Sequence, residues 1–141
     1  MGYKSNLRSF TREFKALAKR FPAEQVRLIQ RKLALDIMRQ AAFLTPVDTG
    51  RARGGWLVTV NEPTSAAPGP RSESISEAEA DRELGDALRS AAEALRDLPD
   101  YAVVFVQNNV EYIVYLEEGT DRIRAYSMLA TAIAGARQQI A

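Results

Sequence analysis

The sequence predicts an α+β fold in which helices pack on a small antiparallel β-sheet. Three observations lead there. Apolar residues recur at steps of three and four over residues 5–44, and again over 76–98 and 125–140. A short run at 56–61 alternates apolar and polar in the manner of a half-buried strand. Two further runs, 101–107 and 110–117, are rich in β-branched and aromatic residues and are separated by Asn108-Asn109. The expected order is a long N-terminal helix, a central acidic helix, a β-hairpin and a C-terminal helix.

Composition narrows the chemistry. A chain of 141 residues suits one domain, spanning 1–141, and a domain of that size buries roughly two-thirds of its unfolded surface. There is no cysteine and no histidine. That removes disulfides, Cys/His zinc sites, thiol nucleophiles and every triad with an imidazole base. Carboxylate-only chemistry and an oxygen-ligated metal remain open, but no catalytic residue, cofactor or metal is assigned. No apolar run approaches the ~20 residues that cross a bilayer, and the N-terminus has no signal-peptide core. A cytosol-like place of synthesis and no membrane partner are therefore expected.

Residues 5–20 read as an amphipathic helix, with Leu7, Phe10, Phe14, Leu17 and Phe21 on one stripe and Arg8, Arg12, Lys15, Lys19 and Arg20 elsewhere. Pro22 suits the start of a second helix, because its missing N–H is not needed there. Val26, Ile29, Leu33, Ile37, Ala41 and Leu44 carry that helix for about six turns, ~33 Å at 1.5 Å per residue. Pro46 disfavours the α conformation at Thr45, so the helix ends near Leu44.

The stretch Thr45-Pro-Val-Asp-Thr-Gly-Arg-Ala-Arg-Gly-Gly-Trp56 forms a corner between helix and strand. Asp48 and Thr49 suit side-chain-to-backbone turns, and Gly50 takes positive φ without strain. Arg51 and Arg53 are expected to alternate outward. Trp56 anchors the strand that follows. Residues 62–75, with three prolines and a glycine, read as an exposed loop that is either mobile or held by a partner.

Ser76-Glu-Ala-Glu79 is a capping box opening an Ala-rich helix with Leu84, Leu88, Ala91, Leu95 and Leu98 on one stripe, closed by Pro99. The acids Glu77, Glu79, Asp81 and Glu83 complement the helix dipole there, so they are not read as a metal site. Asn108-Asn109 supplies the positive φ of a tight turn, pairing 101–107 with 110–117 and covering both faces of the hairpin. Glu117 and Glu118 then point to opposite sides of an extended chain. Gly119-Thr120 makes a turn, Ile123 is exposed in the next loop, and Met128 or Leu129, Ala132, Ile133, Ala136 and Ile140 face inward on the last helix.

Two stretches together carry a resemblance. Pro46-Val-Asp-Thr-Gly-Arg51, followed about sixty residues later by Tyr112-x-x-Tyr115-Leu-Glu117-x-Gly119-Thr120, resembles the tail-completion or neck proteins of long-tailed bacteriophages, the minor tail protein Z-like family. The resemblance runs from the helix at 23–44 to the C-terminus. Two departures stand out: Asp121–Tyr126 lacks the Pro-rich segment common there, and the region 62–98 varies in length among such proteins. The family implies a structural virion component of the tail or neck, assembled in the host cytoplasm. It implies a homo-oligomeric ring, commonly sixfold, that joins the head connector to the tail terminator or tube, with DNA passing through the lumen. Carried onto this chain, Asp48, Thr49, Gly50 and Arg51 would shape the corner and Trp56 would anchor the first strand. Tyr112, Tyr115, Glu117, Gly119 and Thr120 would shape the second strand and its exit.

Charge offers two further expectations. Residues 1–60 hold 12 Lys/Arg against 4 Asp/Glu, whereas residues 61–118 hold 4 against 13. A basic face on the first two helices could meet an acidic face on 77–100 of the next ring subunit. Alternatively, the basic N-terminal helices serve a nucleic-acid-binding module, although Phe10, Phe14 and Phe21 fall on the apolar stripe. A carboxylate hydrolase using Asp48 and Glu117 has no supporting base or metal cluster in the sequence.

Overall fold

A computed structural model describes residues 3–140. Five α-helices occur among them: α1 (Tyr3–Ala18), α2 (Ala23–Leu44), α3 (Glu77–Ala94), α4 (Ile113–Glu118) and α5 (Met128–Ile140). A single 3₁₀ turn, Arg53–Gly55, leads into β1 (Trp56–Val60), and β2 is Val104–Asn108. The two strands pair antiparallel, with Trp56 opposite Asn108 and Val60 opposite Val104. The α+β class holds: helices cover a small antiparallel sheet.

The helices stack in a row. α1 packs on α5, α5 on α2, and α2 on α3, which also lies against β1. Burial follows the apolar spacing. Leu33, Ile37, Met38 and Ala41 of α2 share one buried cluster with Leu84, Ala91 and Leu95 and with Met128, Ala132 and Ala136 of α5, and α2 contacts both α3 and α5. Trp56 and Val58 close the core from the sheet, with Val104 and Val106 of β2 on the same face. Phe10 and Phe14 stack at 6.2 Å against this cluster, while Leu7 and Phe21 at the ends of the α1 stripe stay exposed.

The start of α3 and the end of α2 follow the sequence closely, whereas α3 ends at Ala94, short of the expected closure at Pro99. Leu95 and Leu98 reach the core from the turn beyond it. Ser76 Oγ accepts the Glu79 N–H at 3.1 Å, the N-terminal half of the expected capping box. α2 stops at Leu44, before the Thr45-Pro46 step.

The hairpin expected at 101–117 is not formed. β2 pairs with β1 instead, and 110–117 turns into the short helix α4. The asparagines explain the difference. Asn108 Nδ2 donates to the Ala52 carbonyl at 2.7 Å while its Oδ1 accepts the Val110 N–H at 3.1 Å. Asn109 Nδ2 donates to the carbonyls of Thr64 and Ala66. Both side chains tie the end of β2 to other segments, so the chain does not reverse into a partner strand. Coiling then turns Ile113 and Leu116 toward the core and Glu117 into the interior, and leaves Val114 and Tyr115 exposed, not covered as a strand would have left them. The strand also starts later than expected. Tyr101 is 84% exposed at φ +58°, in a turn where Ala102 donates back to Pro99 and accepts from Gln30.

Candidate functional site

The two stretches that carry the family resemblance fold against each other around Arg51. Thr49 Oγ1 accepts the Arg51 N–H at 3.3 Å, the expected side-chain turn. Gly50 takes φ +80°, and a Cβ there would lie 2.3 Å from Ile75 Cδ1. The left-handed backbone is what favours glycine; a Cβ would in addition displace the tip of the Ile75 side chain. Asp48 does not cap its own turn. Its carbonyl accepts from the Ile75 N–H at 2.8 Å and its carboxylate from Ser74 Oγ at 2.7 Å.

Arg51 and Arg53 do not alternate outward as the sequence suggested; each is more than nine-tenths buried. The chain folds into a 3₁₀ turn at Arg53–Gly55, not an extended approach to β1, and this sends both guanidinium groups inward. Arg51 donates to the Pro68 and Gly69 carbonyls at 3.1 Å and to the Glu111 carboxylate at 2.9 Å. Its guanidinium carbon lies 5.9 Å from the centre of the Tyr112 ring. The Glu111 carboxyl is held below its ordinary value, first by its own backbone N–H and then by Arg51, and the same contact raises the Arg51 pKa. A cleft of about 400 Å³ opens here, bordered by the corner, by Pro70 and Arg71, and by Glu111, Tyr112 and Leu116.

Arg53 serves the helix behind it. Nε donates to the Thr45 carbonyl at 3.0 Å and Nη2 to the Phe43 carbonyl at 3.1 Å, so it satisfies carbonyls that the end of α2 leaves open. Nη1 reaches Glu77 at 2.9 Å and Asp81 at 3.5 Å, at the N-terminus of α3. Thr45 completes the corner. Its hydroxyl donates to the Ala41 carbonyl at 2.7 Å and accepts the Trp56 Nε1–H at 2.9 Å. Trp56 is 2% exposed and is the anchor the sequence suggested.

Residues 62–75 are exposed and without regular structure, but the chain itself holds them. Gln107 exchanges two hydrogen bonds with Thr64 of the strap, Asn109 and Arg51 bind its carbonyls, and Arg71 donates to the Thr49 carbonyl at 3.2 Å and pairs with Glu83.

The C-terminal motif residues play separate parts. Glu117, 6% exposed, accepts the Leu129 and Ala130 N–H groups at 2.8 and 3.2 Å and so caps α5. Glu118 is exposed. The two carboxylates diverge as expected, but as neighbours about 100° apart on a helix and not on opposite sides of an extended chain. Asp48 and Glu117 are each bound to different structural partners and are not joined in a shared pair. Gly119 has φ +79° and ψ 171°, a region essentially confined to glycine, and a Cβ there would lie 2.7 Å from the Ala125 backbone nitrogen. Thr120 Oγ1 accepts the Arg122 and Ile123 N–H groups, making the expected turn. Ile123 is 42% exposed and Tyr115 59% exposed, away from the Arg51 bonds.

Sequence reasoning missed Glu111, Asn108, Asn109, Gln107 and Arg71 as ties. For Gln107 and Glu111 the available signal was a polar side chain inside a strand-like run; Asn108 and Asn109 were read as a turn, and Arg71 lies in the loop. The charge split also resolves partly within the molecule: Arg27 pairs with Asp100, Arg51 with Glu111, and Arg53 with Glu77 and Asp81. Arg31 donates to the Leu95 and Arg96 carbonyls at the end of α3. No helix among the described residues is long and apolar enough to cross a membrane, and no cluster there has the makings of a metal site. No protein-family profile, curated protein or solved structure matches the chain.

Proposed function

We propose that this chain is a structural virion protein, a tail-completion or neck subunit that closes into a ring between the head connector and the tail tube. The observation that carries the reading is the meeting of the two motif stretches. The resemblance rests on their combination, and Arg51 joins one to the other through Glu111 and the Tyr112 ring. The polar side chains of both stretches are engaged in holding backbone: Arg53 at the end of α2, Glu117 at the start of α5, Asp48 and Arg51 along the strap. Such an arrangement suits a stiff wedge that presents a fixed outer surface to copies of itself. Tyr115, Val114 and Ile123 supply exposed apolar groups of the kind that interfaces bury.

Size-exclusion chromatography with light scattering tests the ring directly, and the expected mass is an integral multiple of 15.6 kDa, most simply sixfold. Where the free chain is monomeric, ring formation is expected on isolated tails, read by electron microscopy. Removal of the gene from its virus is expected to leave heads and tails unjoined. Properly joined particles without the protein would overturn the proposal.

A further inference from the structure

We infer that the outward face of α1 is a contact surface for the phosphate backbone of double-stranded DNA. Lys4, Arg8, Arg12, Lys15 and Lys19 are spaced by four, four, three and four residues, and all five are exposed. At 100° per residue they fall within an arc of about 80°, a straight stripe ~22 Å long. Phe10, Phe14 and Leu17, on the opposite side, pack into the core cluster. Of the acids on this helix there is only Glu13, and it is bonded to Arg137 at 2.8 Å.

The contrast with the other cations decides the partner. Among the described residues, Arg27, Lys32, Arg39, Arg51, Arg53, Arg71, Arg89, Arg96 and Arg137 each pair with a carboxylate of this chain. Arg20, Arg31, Arg82, Arg122 and Arg124 make no such pair but are scattered over separate segments, whereas the five unpaired stripe residues share one face. A second copy offers a poorer match: of the acids on α3, Glu77, Asp81, Glu83, Asp86 and Glu93 already face arginines and only Glu79 does not, so that helix presents no row of free carboxylates. A row of five cations fits a ligand with a continuous line of negative charge, and duplex DNA carries one charge per ~1.7 Å of its axis. An anionic lipid surface is the weaker fit, since the aromatic side of α1 is turned into the protein and cannot insert. The location of this contact, the inner wall of a ring, rests on the function proposed above, but binding does not.

The test is fluorescence anisotropy of a labelled 30-base-pair duplex of arbitrary sequence titrated with the full chain from 50 to 200 mM salt. Five phosphate contacts predict a slope of log affinity on log salt of about −4.5. The variant Arg8→Gln/Arg12→Gln/Lys15→Gln is expected to lose about 2.7 of that slope and at least about tenfold in affinity at 50 mM salt. Arg39→Gln/Arg82→Gln/Arg122→Gln, with the same net charge, is expected to stay within about twofold of the parent. Circular dichroism checks that each variant is folded. Equal losses in the two variants, or a parental slope shallower than about −2, overturn the inference. So does tighter α1-dependent binding to vesicles containing phosphatidylserine than to the duplex, or an α1 variant that changes only the oligomeric mass. Light scattering on the same samples, with electron microscopy of isolated tails, keeps the outcomes apart: a ring without DNA binding refutes this inference alone, and DNA binding by a chain that forms no ring either in solution or on tails refutes the proposed function alone.

Discussion

Replacing Arg53 by methionine separates two jobs that its guanidinium combines. One is closing the end of α2 through the Thr45 and Phe43 carbonyls, and the other is meeting Glu77 and Asp81 at the start of α3. Methionine keeps most of the apolar volume and removes every donor. The two acids lie 73 and 64% exposed, so water solvates them once they are released, and the ion-pair share is about 0–1 kcal/mol. Hydrogen bonds from a charged donor to carbonyls are worth about 1.5–3 kcal/mol each, with incomplete additivity. Arg53→Met is therefore expected to cost about 3 kcal/mol, lowering Tm by about 10 °C in a domain of this size. Glu77→Gln/Asp81→Asn, which leaves the carbonyl bonds in place, should cost less than about 1 kcal/mol. Urea titration and thermal melting followed by circular dichroism give both values. A loss in the double acid variant as large as that in Arg53→Met would refute the helix-closing role and make this a salt bridge after all.

Three other outcomes follow from the same bonds. Thr45→Val keeps the shape but leaves the buried Trp56 N–H without an acceptor, so it should cost about 2 kcal/mol. Adding Trp56→Phe should then cost less than it does in the parent, and additive losses would deny the bond. Gly119→Ala meets backbone at Ala125 where Gly50→Ala meets only the tip of Ile75, so Gly119→Ala should be the more damaging, at about 3 kcal/mol or more; the reverse order in urea would contradict the geometry. For pH, Arg137 holds the Glu13 carboxyl below its ordinary value of 4.5, and Glu111 is held low by its own N–H and by Arg51. The folded chain thus binds fewer protons than the unfolded one in that range, so this stabilisation is present above about pH 4.5 and is lost as pH falls through the lowered folded values. Tm should hold level from pH 8 to 6 and drop below about pH 5, with a shallower drop in Glu13→Gln/Glu111→Gln. An unchanged acid limb in that variant would remove these two groups from the account.

Local rules carried the sequence reading where one segment answered to its own chemistry. The end of α2 at Thr45-Pro46, the serine cap of α3, positive φ at Gly50 and the inward set of α5 all belong to that kind. Reading failed where distant groups decided. Val110–Leu116 has the composition of a strand, and what made it helical was the use of Asn108 and Asn109 as ties to Ala52 and Thr64, some 45–56 residues away. Arg51 and Arg53 looked like solvent-facing charges because their acceptors lie elsewhere: carbonyls of α2 and the strap, and carboxylates at 77, 81 and 111. The strap itself lacks any apolar period, and only the polar side chains beneath it give it a fixed course.

The row of helices has an outermost member whose attachment is single. α1 holds to the remainder mainly by α5, which α2 grips from the other side. Undocking α1 would strip Phe10, Phe14 and Leu17 from their seat yet leave the Trp56 centre closed, so α1 is expected to open ahead of the rest. In native-state deuterium labelling its amides should form their own fast-exchanging class, ahead of those of α2. A grip so one-sided also makes α1 the piece that neighbouring copies could trade.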